Sequence, residues 1–141
     1  MSLLLTLQDK PSKIHQDNFD PGRGNALQAA VASIFGCALK DVPNFIEMPG
    51  GYEASIKTFG KEGGINIIKV AVNSDILYKS SAYETHLGKL CILRGKSPRG
   101  NFGHVVVARF NADGFEMVHD PHPEGTMLDT SQELGWCMLF S

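Results

Sequence analysis

The side chains best suited to proton transfer or nucleophilic chemistry lie mostly in the last third of this 141-residue chain. His104 opens an apolar run, His104-Val105-Val106-Val107-Ala108-Arg109-Phe110, directly after a Gly/Pro/Ser-rich loop at 95–103. A second run, Phe115-Glu116-Met117-Val118, leads into His119-Asp120-Pro121-His122. An imidazole exchanges protons near neutral pH. His119, Asp120 and His122 are also metal-ligand types, but no second cluster has zinc spacing, so no metal is expected, and no cofactor. The thiols Cys37, Cys91 and Cys137 are odd in number and irregularly spaced. That argues against a disulfide framework and for a reducing compartment, hence a cytoplasmic location. Cys91, within the apolar run 89–94, reads as a buried small hydrophobe, and His15 and His86 read as surface residues.

Whether His104 can meet Asp120 depends on the elements that carry them. The run from His104 to Phe110 reads as a strand, Ala112-Asp113-Gly114 as a hairpin turn, and Phe115 to Asp120 as the return strand stopped by Pro121. A three-residue loop pairs Asn111 with Phe115, His104 with His122 and Val106 with Asp120. His104 and Asp120 then share one sheet face as diagonal neighbours. A four-residue loop would pair Phe110 with Phe115 and put His119 on that face instead, and an odd register without a compensating bulge would remove Asp120 from the role. The three-residue loop is the expected one, with Gly114 in the left-handed conformation.

The other elements frame this hairpin. Asn25 to Gly36 reads as a short core helix: Asn25 as N-cap, an apolar face of Leu27, Ala30, Val31, Ile34 and Phe35, and Gly36 as a left-handed C-cap. Leu3–Leu7 suggests an edge strand, and Ile14 to Arg23 a polar loop entering the helix. Ala38–Val42 suggests a helical turn, and Tyr52–Lys61 an amphipathic helix. Strands are expected at Ile65–Val72, Lys89–Arg94 and within Glu133–Ser141, where Trp136 reads as core with cleft-lining as the alternative. The stretch 73–88 is ambiguous, and 126–132 reads as loop or helical turn.

Gly24-Asn25-Ala26-Leu27-Gln28-Ala29 with Val31-Ala32-Ser33, then Leu39-Lys40-Asp41-Val42-Pro43-Asn44-Phe45, resembles the nucleophile helix of small papain-like cysteine hydrolases. The peptidase domains that process bacteriocin leaders are of this kind. Gly103-His104-Val105-Val106-Val107 followed by Val118-His119-Asp120-Pro121 is similar to the same family's base histidine and orienting acid. The resemblance covers most of the chain in the family's order. It implies an α+β, papain-like fold with an N-terminal helix packed on an antiparallel sheet, over a single domain, 1–141. It further implies a Cys-His-Asp triad with His104 as base and Asp120 as orienting acid. Gln16, ten positions before Ala26, becomes the candidate oxyanion-holding amide, with Asn18 and Asp20 as weaker candidates.

In that pattern the residue after Gly-Asn is the nucleophilic cysteine, and here it is Ala26. A methyl group cannot attack a carbonyl, and Cys37 at the far end of the helix is about 16 Å away at 1.5 Å per residue. The chain therefore reads as a cysteine hydrolase of peptidase, amidase or thioesterase type inactivated at the nucleophile position. An engineered Cys-to-Ala replacement is the favoured reading. A natural pseudoenzyme or peptide-binding module on the same fold is the alternative.

Composition constrains the partners. The hydrophobic share is 43% and the net charge −2, ordinary for a globular domain and without an electrostatic case for nucleic acid or an anionic membrane. Arg94, Lys96 and Arg99 make only a small basic patch, read as solvated. The N-terminal apolar run is too short for a signal peptide or a membrane span. The expected partner is a peptide, a protein, or a small amide or thioester substrate.

Overall fold

The computed structural model describes residues 4–20, 24–73 and 81–141. Among these residues, three helices, α1 (Ala26–Phe35), α2 (Tyr52–Glu62) and α3 (Ser81–His86), accompany five strands: β1 (Ile67–Ala71), β2 (Leu90–Lys96), β3 (Gly103–Asn111), β4 (Gly114–His119) and β5 (Trp136–Phe140). Short 3-10 turns at Leu39–Asp41 and Phe45–Glu47 join α1 to α2. The strands form one antiparallel sheet in the order β1-β5-β2-β3-β4. The architecture is thus α+β, and among the described residues no single helix is long and apolar enough to cross a bilayer.

Strand alternation sorts the sheet into two apolar faces. Ile92, Val105, Val107, Met138 and Phe140 pack with Val31, Ile34 and Phe35 of α1. Cys91, Leu93, Val106, Ala108 and Leu139 form a second cluster with Leu128 from the chain before β5. Burial accounts for α1 beyond its expected apolar stripe: every residue from Ala29 to Phe35 is buried, and the alanines admit close neighbours. Gly36 closes the helix at φ 67° and ψ 30°, as expected of a left-handed C-cap.

Four local expectations need correction. Asn25 makes no side-chain cap. Its Oδ1 instead accepts from the backbone N–H of Asp17 and Asn18, tying the preceding loop to the helix start. Leu3 lies outside the described residues, and 4–7 is not a strand; only the Leu5 N–H bonds outward, to Gly63 O. Pro21, Gly22 and Arg23 of the expected entry loop also lie outside the described residues. His86 is buried, with Nδ1 3.1 Å from Phe140 O, rather than on the surface.

The hairpin is the fourth correction. Asn111 pairs with Gly114 and Phe110 with Phe115, so the loop is shorter than three residues. A bulge then inserts Val118: Ala108 pairs with Met117, but Val107 pairs with His119. The extra residue restores the His104–Asp120 relation that the tighter turn would have destroyed. Gly114 has positive φ as expected, at 133°, away from the αL well.

Candidate functional site

The bulged hairpin brings two side chains into direct contact. His104 Nε2 lies 2.6 Å from Asp120 Oδ1, with both residues buried. An ionised carboxylate only accepts, so Nε2 is assigned as the donor. This leaves Nδ1 as the ring's acceptor nitrogen, and it has no hydrogen-bond partner among the described residues. Asp120 is held from two further directions: the His122 N–H reaches Oδ1 at 2.9 Å and the Met127 N–H reaches Oδ2 at 2.8 Å. Burial pushes the carboxyl pKa up, but the bonds from His104, His122 and Met127 outweigh it and hold the group below the usual carboxylate range. Met127 is the one non-glycine at positive φ among the described residues, at 61°. That conformation turns its N–H onto the acid, a local strain retained where the surroundings fix it.

Loop 14–18 is fixed between α1 and β4. Ser33 of α1 accepts from the Ile14 N–H and donates to Ala29 O. His119 Nε2 lies 2.7 Å from Ile14 O, and Gln16 N–H donates to Pro121 O. Asn25 Nδ2 donates to Gln28 Oε1, while Gln28 Nε2 donates to the carbonyls of Leu39 and Val42 beyond the helix. Gln28 thus anchors the segment after α1. His119 is a structural bond donor to the loop, and desolvation lowers its pKa.

These restraints gather the expected residues on one cleft of about 450 Å³. Ala26, at the first position of α1, lines it together with His104 and Gln16. Asp120 sits behind His104 and is not part of the lining. Gln16 donates one amide hydrogen to Asn18 O at 3.0 Å, while its Oε1 is buried without a partner among the described residues. Asn18 is a framework residue, its carbonyl also accepting the Asn25 N–H, whereas Asp20 lies on the cleft wall. The thiols lie elsewhere: none lines the cleft. Burial raises the pKa of all three, Cys137 to about 12.

No family model matches this chain, and neither a curated protein nor a solved structure matches it. The chemistry of the cleft therefore has to be read from its own side chains. Among the described residues, no group of three His, Cys, Asp or Glu side chains is placed to hold a metal ion.

Trp136 lies at the cleft, the alternative its sequence reading left open, stacked on Tyr52 at 6.0 Å and 17°, with Lys69 Nζ over both rings. Other lining residues escaped sequence reasoning. Phe19 and Phe102 are half exposed at the cleft, and Phe19 packs edge-on to His122. Arg94 and Arg99 also line it. Their one sequence signal was an excess of cations in a segment adjoining His104, which by itself looks like any solvated loop.

Proposed function

We propose that this chain is a papain-like cysteine hydrolase domain of Cys-His-Asp type, with Ala26 occupying the nucleophile position. The observation that carries the reading is the convergence of three distant segments. The first turn of a buried helix and an acid-backed histidine face one cleft, and a glutamine lies beside them.

A thiol at position 26 would sit at a helix N-terminus, where unpaired N–H groups and the helix dipole favour thiolate, lowering its pKa from ~8.5 into the range ~3.5–7.5. His104 Nδ1 would take the thiol proton, while Asp120 holds the ring through Nε2. The thiolate would attack an amide or thioester carbonyl. The oxyanion so formed would be met by the backbone N–H of residue 26 and by the second amide hydrogen of Gln16. Gly24 lets the loop carrying that amide lie close to the helix start, since a Cβ there would press on Asp20 O at 3.3 Å. The imidazolium would then protonate the leaving amine or thiol, and water would hydrolyse the thioester by the reverse route.

With alanine in place no covalent step occurs, and the chain binds without cutting. An engineered replacement of cysteine accounts for an otherwise complete set of groups. A natural pseudoenzyme or peptide-binding module on this fold would carry the same Ala26 and is the second reading.

Ala26→Cys tests the proposal. Iodoacetamide should alkylate the new thiol at pH 6 at least tenfold faster than it alkylates a free cysteine-containing peptide, and His104→Ala should remove the advantage. Alkylation at the peptide's rate in both backgrounds would count against the hydrolase reading.

A further inference from the structure

We propose that the cleft selects acyl compounds bearing a carboxylate, bound by Arg94, with an apolar group seated beside Phe102. This inference rests on the reading of the cleft as an acyl-substrate site and adds the substrate class.

Among the described residues two arginines line the cleft, and they differ in what they already hold. Arg99 is committed: its Nη1 donates to Thr126 Oγ1 at 3.0 Å and lies 3.8 Å from Asp120 Oδ2. Arg94 has no side-chain hydrogen bond or ion pair among the described residues. Its guanidinium lies against Gly103, the residue before the histidine. A Cβ at Gly103 would fall 2.2 Å from Nη2 and 2.6 Å from Cζ, so only glycine allows this placement. The guanidinium therefore lies over a defined strand position, with its N–H fork unspent.

The surroundings favour an anion. The chain carries a net charge of −2, yet among the described residues this cleft wall holds Arg94, Arg99 and two histidines against one acid, Asp20. Asp20 makes no ion pair with Arg94 among the described residues. A planar fork matches a carboxylate through two parallel hydrogen bonds. Phe102, 53% exposed on the same wall, offers an apolar surface beside the guanidinium's cleft. A ligand joining a carboxylate to an apolar acyl group answers both features.

The chain contains a single tryptophan, Trp136, and it lines the cleft, so its fluorescence reports occupancy. Titration of the chain as it stands with hippurate (N-benzoylglycine) should give saturable quenching. Hippuramide, the neutral isostere, should bind about tenfold more weakly. Arg94→Gln should erase the difference, and Arg94→Lys should recover part of it at an unchanged melting temperature. Equal binding of hippurate and hippuramide, no binding of either, or hippurate affinity untouched by Arg94→Gln would overturn the proposal. Phenyl phosphate binding where hippurate does not would overturn the commitment to a carboxylate. None of these titrations needs position 26 to react, so they stand or fall separately from the alkylation test.

Discussion

Replacing Asp120 by Asn should destabilise the protein by about 2–4 kcal/mol, and the structure says where the loss arises. The carboxylate is 3% exposed and accepts three hydrogen bonds, at 2.6 Å from His104, 2.9 Å from the His122 N–H and 2.8 Å from the Met127 N–H. An amide of the same shape offers one oxygen. If that oxygen keeps His104 and His122, the NH2 group opposes the Met127 N–H and leaves a buried donor unpaired, at a cost of about 1–3 kcal/mol. The His104 bond also loses its charge assistance, roughly half its strength. At about 2–4 °C per kcal/mol for a domain of this size, the melting temperature should fall by roughly 5–15 °C. Calorimetry at pH 7 measures it, with Asp113→Asn on the exposed hairpin turn as a control expected within about 0.5 kcal/mol. The pH dependence supplies a second check. The folded pKa of Asp120 is depressed, so its contribution is present above the unfolded value of ~3.9 and is lost as pH falls through the folded value. The gap between parent and Asp120→Asn should therefore narrow below about pH 4. A variant that melts with the parent at pH 7, or a gap constant down to pH 2, would refute this account of the acid.

Deleting Val118 removes the bulge and should shift Asp120 off His104, so the downfield imidazole N–H resonance expected of their 2.6 Å bond should vanish from the proton NMR spectrum. Gly60→Ala should cost about 1–3 kcal/mol in urea denaturation despite alanine's better helix propensity, because its Cβ would lie 2.6 Å from Ile67 Cδ1 and 3.0 Å from Ile65 O. Ile67→Val in the same chain should return part of that loss. Desolvation depresses the pKa values of the buried His86 and His119, so the unfolded chain binds more protons below ~6.5. Stability should fall between pH 7 and pH 5, and His119→Gln should flatten that slope.

How much was legible in the sequence follows from which forces are local. The apolar period of α1 and the β-branched runs of β1 and β3 are local signals, and those elements stand where the patterns put them. The left-handed closure at Gly36 is local too. Asn25 misled because an N-cap residue type says nothing of competing partners: here two loop N–H groups take its oxygen. The hairpin misled in a different way. Turn length and bulge position compensate each other, so the His104–Asp120 pairing was right for a register that holds only beyond Val118. His86 was misplaced, and Trp136 was left between core and cleft, because the surfaces that bury or expose them belong to distant strands and helices. Arg94 was the least legible, since its meaning lies in Gly103 across the ladder, a neighbour that no spacing rule supplies.

The most direct test of the central claim is the thiolate absorbance at 240 nm of Ala26→Cys, titrated from pH 3 to 9. The background is quiet, because burial raises the pKa of Cys37, Cys91 and Cys137 alike. A helix N-terminus facing an acid-backed imidazole predicts one new thiolate with a midpoint below pH 7.5, moved upward by His104→Ala. A midpoint at or above ~8.5, indifferent to His104, would contradict the account.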